Sequence, residues 1–218
     1  MSGFEDGVDA AVGSGSAGKY GFWFFRGDRA VKTDKDGNTI AKHVADITVE
    51  WPAFKDSIFA AGVDAALYSG SGFWFFKGNQ TGRTDLDGLH FAKGPGNITD
   101  PGNWPALSGT IFADGVDAAV ESGDSGKWGF WFFKGNQAVK TDKDGNTIEK
   151  HVADITVEWP AFKDSIFASG VDEALYSGSG FWFFKGNQTG RTDLDGLHFT
   201  RGPGNITDPG NWPALRGI

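Results

Sequence analysis

The sequence predicts an all-β protein in which four small antiparallel sheets form a ring. Three observations carry this prediction. The run Phe-Trp-Phe-Phe occurs four times, beginning at Phe22, Phe73, Phe130 and Phe181. The phenylalanines that open the repeating units lie 53 to 55 residues apart, and each unit ends in Trp-Pro-Ala. A period near fifty with several short strands per unit is typical of propellers and related arrays of sheets.

The first unit shows how each predicted strand follows from its residues. Residues 8–12 have small side chains and predict the innermost strand, while the aromatic residues 20–25 predict a second strand buried on both faces. Residues 29–33 predict a third strand, and the Asp-Gly pair after it predicts a hairpin turn. An outer segment is predicted to start at Thr39 and Ile40, and residues 44–54 are predicted to close the unit.

The four units follow an A-B-A-B order, in which the first and third units (A) are alike and the second and fourth units (B) are alike. Residues 4–107 and 112–215 differ at only thirteen positions, so the predicted ring has a pseudo-twofold axis. Because one sheet cannot bury both of its faces alone, all four units should close into a single domain spanning residues 1–218. The approximate units, or blades, are 4–58, 59–111, 112–166 and 167–218.

Composition and charge exclude several classes of function. The net charge of −8 argues against binding the phosphate backbone of nucleic acids and against binding anionic membranes. No run of residues approaches the length of a membrane span. The chain has no cysteine, and its first residues lack the basic and apolar stretches of a signal peptide. We therefore expect a cytoplasmic protein, or one released without a signal peptide.

The recurring Asp-Ala, Phe-Phe-Lys-Gly and Trp-Pro motifs resemble those of the hemopexin-like repeat family, and the resemblance covers essentially all 218 residues. It implies a four-bladed β-propeller with four-stranded antiparallel blades and a central channel. Vertebrate members join their first and last blades by a disulfide. This chain has none and looks more like the disulfide-free members, which are pea-type seed albumins and related bacterial and fungal proteins.

The same resemblance implies an ion on the channel axis, held by backbone carbonyls. Carried over by motif, the candidate rings are Asp9, Asp64, Asp117 and Asp172, followed by Ala11, Ala66, Ala119 and Ala174. Ca²⁺ is the expected ion, with Na⁺ or Cl⁻ as alternatives, because Ca²⁺ accepts oxygen ligands at flexible geometry. The alternative role for the aspartates is to cap strands or hold turns.

The residues themselves also suggest where an organic ligand would bind. Tyr20 and Trp128 end the long glycine-rich loops of the first and third units, and Asp124 lies in the second of these loops. An exposed aromatic ring beside polar residues is a surface on which a sugar stacks, although each ring could equally pack on its own blade. The glycine- and proline-rich loops of the other two units contain Asn and Asp side chains that could bind a ligand. The same residue types are common in turns, which is the alternative explanation for them. These groups are Asn97, Asp100, Asn103, Asn205 and Asp208.

We find no pair of nucleophile and base, no paired catalytic carboxylates and no phosphate-binding loop, and therefore expect no enzymatic activity. The leading hypothesis is a lectin, a hemagglutinin whose two like halves present each glycan site twice. The first alternative is an albumin or storage protein that binds haem or a polyamine; the negative charge favours the polyamine. A designed or reconstructed propeller without a selected ligand is the second alternative. Twofold repetition and exposed outer strands also leave a homodimer open.

Overall fold

A computed structural model describes residues 3–218 of the chain; Met1 and Ser2 lie outside the described residues. Four antiparallel sheets, one per unit, contain four strands each, and within each sheet the strands follow their order along the chain. The four short inner strands contact one another in a closed cycle around the axis. This architecture is the four-bladed propeller that the sequence predicts.

The strands of each blade occupy nearly equivalent positions in the repeat. Blades 1 and 2 contain β1 Ala10–Gly13, β2 Phe22–Arg26, β3 Arg29–Thr33, β4 Ile40–Asp46, β5 Ala65–Tyr68, β6 Phe73–Lys77, β7 Gln80–Thr84 and β8 Phe91–Asn97. Blades 3 and 4 contain β9 Ala118–Glu121, β10 Phe130–Lys134, β11 Gln137–Thr141, β12 Ile148–Asp154, β13 Glu173–Tyr176, β14 Phe181–Lys185, β15 Gln188–Thr192 and β16 Phe199–Asn205.

Short helical segments connect these strands. Two single-turn α-helices, α1 Ile47–Glu50 and α2 Ile155–Glu158, follow the outer strands of blades 1 and 3. Within residues 3–218, ten 3₁₀ segments add to these helices: Phe4–Asp6, Ser16–Gly18, Pro52–Phe54, Ile58–Ala61, Pro105–Leu107, Ile111–Asp114, Asp124–Gly126, Pro160–Phe162, Ile166–Ser169 and Pro213–Leu215.

The first blade corrects two of the predicted boundaries. The inner strand begins at Ala10 rather than at residue 8, and the second strand begins at Phe22 rather than at residue 20. Gly21 adopts a φ of +97°, which a continuing strand does not use, so the extended run starts after it. The third strand, Arg29–Thr33, lies where the sequence predicts it. The outer segment divides into strand β4 and helix α1.

The core lies between blades, in four separate clusters of buried residues. Each Trp-Pro-Ala tryptophan packs between the second strand of its own blade and that of the next. Trp51, for example, lies edge-on to Trp23 at 5.6 Å and to Phe73 at 5.0 Å between ring centroids. The four apolar side chains of each Phe-Trp-Phe-Phe run are buried, as the sequence predicts.

A second contact joins each blade to the next. The amide of the alanine in Trp-Pro-Ala donates to the carbonyl of the glycine in the following blade's Asp-Gly turn, as from Ala53 to Gly88 at 3.1 Å. The last such bond, from Ala214 to Gly37, links blade 4 to blade 1. The ring also closes through the amide of Phe4, which donates to the carbonyl of Ile218 at 2.7 Å. Within residues 3–218, no helix has the length and apolar character needed to cross a membrane.

The contact between Gly88 and Trp51 gives a stability prediction. Gly88 has a φ of +70°, and a Cβ added there would lie 2.6 Å from the Trp51 ring. Gly78 has a φ of +52°, and a Cβ added there would meet no atom within 4 Å. Gly88→Ala should therefore lower the free energy of unfolding by about 2–4 kcal/mol, from backbone strain plus overpacking. Gly78→Ala should lower it by only about 1 kcal/mol. Equal losses in urea unfolding would contradict this account of blade contact.

Candidate functional site

The channel opens at one end through a mouth lined by four aspartates. Asp9, Asp64, Asp117 and Asp172 surround an open space of about 310 Å³ together with Val8. Each carboxylate also holds its own blade's turn, as where the amide of Gly78 donates to Asp64 Oδ2 at 2.7 Å. The same bond recurs in the other three blades. The aspartates therefore fix turns, which was the alternative considered for them, and they also make the mouth strongly negative.

Below the mouth, a single carboxylate lies inside the channel. Glu173 opens β13 and is fully buried, and the equivalent inner-strand residues are the alanines Ala10, Ala65 and Ala118. Its Oε2 accepts hydrogen bonds from the amides of Ala11 at 3.0 Å and Ala66 at 3.3 Å. Its Oε1 accepts from Ala174, and Ala119 is a further amide donor. Burial raises the pKa of Glu173 well above its ordinary value, and the four amides oppose that rise.

The ring of alanines that the resemblance links to an ion therefore presents its amides to a carboxylate of the chain. In an antiparallel pair, alternate residues turn both backbone groups away from the partner strand, so these alanines also direct carbonyls to the axis. A cation on the axis fits this environment, because the carboxylates of the mouth attract positive charge and the inward carbonyls offer oxygen ligands. Cation binding by these carbonyls, and by those of the four aspartates, remains a prediction.

The glycine-rich loops of blades 1 and 3 meet at the opposite end of the channel. The hydroxyl oxygens of Ser16 and Ser125 lie 3.5 Å apart. Beside them Glu121, at the end of β9, is buried and accepts a hydrogen bond from the amide of Tyr68. Its Oε1 has no hydrogen-bond partner among residues 3–218. Burial raises the pKa of Glu121 to about 8, with a smaller contribution from the negative charge of Asp124.

Two further cavities lie on the outside of the channel, where a B blade meets the next A blade. The blade 2–3 groove has a volume of about 280 Å³ and the blade 4–1 groove about 250 Å³. They share nine lining pairs related by the duplication: Ser69/Ser177, Trp74/Trp182, Arg83/Arg191, Gly102/Gly210, Asn103/Asn211, Trp104/Trp212, Phe130/Phe22, Lys143/Lys35 and Asp144/Asp36. The molecule therefore has two nearly equivalent clefts, each of which combines indole surface with charged and amide groups.

An arginine on the third strand organises each groove. The Arg83 guanidinium lies 5.6 Å from the centre of the Trp74 ring, and its Nη1 donates to Ser71 Oγ at 3.1 Å. Arg191 lies 5.9 Å from the Trp182 ring and donates to Ser179 Oγ. Burial, with the Arg201 guanidinium close by, lowers the pKa of Arg191. These contacts hold both guanidinium groups against an aromatic wall.

The two grooves differ at one buried amide. Asn103 is 3% exposed and donates from Nδ2 to the Asn97 carbonyl at 2.8 Å, but its Oδ1 has no partner in the described part of the chain. In the blade 4–1 groove, Arg201 Nη1 donates to Asn211 Oδ1 at 3.4 Å. Lys93 stands where Arg201 does. Both donate to the equivalent proline carbonyl, Lys93 to that of Pro101 and Arg201 to that of Pro209, but only Arg201 also reaches the asparagine. One of the thirteen differences between the halves therefore changes the hydrogen bonding of this amide.

The junction after the first A blade has a smaller cavity. The cavity between blades 1 and 2 has a volume of about 200 Å³, and lysine takes the place of arginine at Lys32. An ion pair between Lys42 and Glu50 at 2.6 Å lines it on the blade 1 side, and Lys150 and Glu158 make the same pair in the third blade. Helices α1 and α2 supply the two glutamates, Glu50 and Glu158. The B blades have a glycine- and proline-rich loop in the position of these helices.

The structure places the predicted ligand residues in two settings. Tyr20 and Trp128 are exposed, at 63% and 59%, with a neighbouring lysine over each ring. They lie at the ends of the glycine-rich loops of blades 1 and 3, which meet at Ser16 and Ser125. Ala17, in the same loop as Tyr20, also lines the blade 4–1 groove. Asp124 opens the 3₁₀ segment of the Trp128 loop. Their part in binding stays a prediction.

The asparagines and aspartates of the other two loops mainly stabilise their own turns. Asp100 accepts from the Asn97 amide at 2.8 Å, and Asp208 accepts from the Asn205 amide at 2.9 Å. Their turns bring Asn103 and Asn211 into the grooves. Sequence reasoning did not identify the two arginines or Glu173. Each arginine is a partly exposed strand residue between two buried ones. An ordinary solvent-facing residue of a strand has the same pattern, so the sequence does not mark these arginines as site residues.

Two seed proteins are similar to this chain in sequence. Albumin-2 of Pisum sativum is 35% identical over 138 residues, which cover 57% of this chain and 54% of the pea protein. Albumin-2 of Lathyrus sativus is 34% identical over 131 residues, covering 57% of this chain and 55% of that protein. The chain thus spans about half the length of the curated relatives it matches. No protein-family model matches it.

Solved structures of legume seed proteins share the fold over nearly the whole chain. The hemopexin fold protein CP4 from cow pea is 26% identical, with a TM-score of 0.83 and 97% of both chains covered. A Cicer arietinum albumin that shows hemagglutination has a TM-score of 0.84 at 23% identity, covering 97% of both chains. A Cicer arietinum lectin with two metal binding sites has a TM-score of 0.85 at 23% identity and the same coverage. The resemblance to pea-type albumins of the hemopexin fold is confirmed.

The buried Glu121 gives a prediction about pH. In the unfolded chain its carboxyl has its ordinary pKa and loses a proton near pH 4.5, whereas in the folded chain burial raises that pKa to about 8. Stability should therefore decrease as pH rises through this window, by up to about 1.4 kcal/mol per pH unit for one group. Glu121→Gln, which keeps the size of the side chain, should make the curve of unfolding free energy less steep between these pH values, while the buried Glu173 keeps its own contribution. An unchanged slope in urea unfolding would refute the assignment.

Proposed function

We propose that this chain, a hemopexin-fold propeller similar in sequence to the pea-type seed albumins, is a non-enzymatic lectin with two glycan sites. The observation that carries the proposal is the duplication of the groove. Both grooves combine a tryptophan face, a guanidinium fixed by cation–π contact and a buried asparagine. Aromatic surface with a few convergent polar groups is what a sugar ring needs for stacking and hydrogen bonding.

The position of the grooves suits bivalent binding. They lie at opposite junctions of a rigid ring, so one molecule would engage two glycans at once. Two weak sites on one body give a much higher overall avidity on a cell surface than either site alone. Hemagglutination by a Cicer arietinum albumin of the same fold supports this proposal by analogy. Tyr20 and Trp128 would extend the binding surface along the loop side of the ring.

The channel mouth supports a metal proposal that is separate from the grooves. A Ca²⁺ ion would be held by the carbonyls of the inner strands with the four mouth aspartates around it, and it would stabilise the ring rather than react. The Cicer arietinum lectin with two metal binding sites supports a metal without giving its identity or place in this chain. The same negative mouth favours a second candidate function, the binding of a polyamine.

The lectin proposal predicts how groove variants behave. Arg83→Ala together with Arg191→Ala should abolish binding on a glycan array, because both aromatic walls lose their guanidinium. Either single variant should keep array binding at half the sites per molecule but lose hemagglutination, which needs two sites. Lys32→Ala with Lys140→Ala, at the equivalent positions of the A blades, is the matched control and should leave both readouts unchanged.

The array also decides among the alternatives when it is run with Ca²⁺ and again with chelator. A blank array in both conditions would remove the lectin proposal, and calorimetry with spermine and absorbance titration with haemin would then test the albumin-type functions. Glycan binding that is lost in Tyr20→Ala and Trp128→Ala, but kept in the arginine variants, would move the site from the grooves to the loops.

The metal proposal is tested by thermal unfolding. Ca²⁺ should raise the Tm of the chelated protein saturably, by roughly 5–10 °C at a hundredfold excess over its Kd. Asp64→Asn and Asp172→Asn together should weaken that response, because they remove negative charge from the mouth. A Tm that is the same with Ca²⁺ and with chelator would contradict an axial calcium ion.

A further inference from the structure

Two cations face each other across the third and fourth strands of every blade. The four cross-strand pairs are Lys32–Lys42, Arg83–Lys93, Lys140–Lys150 and Arg191–Arg201. Like charges directly opposite one another on neighbouring strands are destabilising. A negative charge placed beside such a pair would therefore stabilise the blade.

The A blades provide that negative charge from their own chain. Glu50 of helix α1 pairs with Lys42 at 2.6 Å, and its charge opposes the lowering of the Lys32 pKa that burial and Lys42 cause. Glu158 of helix α2 pairs with Lys150 at the same distance. Each lysine pair of an A blade therefore has a carboxylate of the protein beside it.

The cation pairs of the B blades lack such a carboxylate. The glycine- and proline-rich loop stands in the position of the helix, and within residues 3–218 none of the four B-blade cations takes part in an ion pair. Burial, and then the charge of Arg201, lower the pKa of Arg191. Each B blade therefore carries two facing cations that the protein itself does not neutralise.

These cations lie at the two grooves. The third-strand arginine lines each groove, and the fourth-strand cation lies at its edge. A Cβ added to Gly102, a lining residue, would lie 2.5 Å from Lys93 Nζ, and Gly210 lies equally close to Arg201 in the other groove. Only Nη1 of the Arg83 guanidinium donates a hydrogen bond within residues 3–218, and its Nε is buried without an acceptor. The guanidinium thus keeps donors for a ligand.

We infer that each groove binds a sugar through a carboxylate, so that the ligand provides the negative charge that a glutamate provides in the A blades. This inference rests on the lectin proposal and narrows it to acidic sugars. A guanidinium matches a carboxylate with two parallel hydrogen bonds, while the indole face stacks on the sugar ring. In the blade 2–3 groove, the unpartnered Oδ1 of Asn103 is an acceptor for a sugar hydroxyl.

The test compares glycans that end in a uronic acid or a sialic acid with the same glycans after their carboxyl group has been reduced to an alcohol. Reduction keeps the sugar ring and removes the charge. It should weaken binding to the unaltered chain about tenfold to hundredfold, because charge-assisted hydrogen bonds are lost. Binding to the acidic forms should also weaken as salt is added. The two acidic series show which sugar acid the grooves accept.

Variants at the groove edge separate the effect of charge from that of shape. Lys93→Gln with Arg201→Gln should weaken binding to the acidic glycans and leave the residual binding to the reduced forms unchanged. Lys42→Gln with Lys150→Gln is the matched control, because it removes the equivalent A-blade cations, which glutamates already neutralise. This control should bind both forms as the unaltered chain does.

The outcomes distinguish this inference from the lectin proposal. Equal binding of acidic and reduced glycans would overturn the carboxylate inference and leave the lectin proposal standing. Binding to sulfated glycans alone would likewise overturn the carboxylate and keep the lectin. A blank array would remove the lectin proposal and the inference together.

Discussion

The structure depends on the burial of one tryptophan between each pair of blades. A sheet of this size with apolar side chains on both faces cannot exclude water by itself, so each blade requires a neighbour on either side. Trp51, Trp104, Trp159 and Trp212 meet this requirement, because each lies against two phenylalanines of the next blade, with ring centroids about 5 Å apart. Such edge-to-face pairs add about 0.5–1.5 kcal/mol each to the burial of the rings.

Fourfold and twofold features of the molecule have different physical origins. The core repeats four times, since every junction buries the same aromatic run and the same tryptophan. The outer segments alternate between a helical turn that provides a glutamate and a rigid loop that provides an asparagine. The A blades therefore carry a lysine–glutamate pair within their outer segment, and the junctions after the B blades form grooves. The surface can thus acquire paired sites without altering the packing that holds the blades together.

The sequence was sufficient for the fold because the repeat makes every local signal appear four times in register. Phe22 to Phe25 must be buried, and an Asp-Gly turn must follow the third strand, in each copy. The candidate site was harder to predict. Glu173 is an isolated glutamate beside an aspartate, and only the phase of β13 shows that its carboxylate reaches the axis. Arg83 and Arg191 become groove residues only through the neighbouring blade, which sequence spacing does not locate.

The contact of each Asp-Gly turn with the Trp-Pro-Ala motif of the preceding blade affects how the ring folds. The carbonyl of Gly88 accepts a hydrogen bond from the amide of Ala53, and the other three junctions between blades repeat this bond. The last of them joins Ala214 to Gly37 and closes the ring. An open array of repeats can fray from either end, because its terminal units have a single neighbour. In this closed ring every blade has two, so detaching any one of them exposes two aromatic interfaces at once. Partly assembled rings are therefore costly, and folding and unfolding should be cooperative over all four blades.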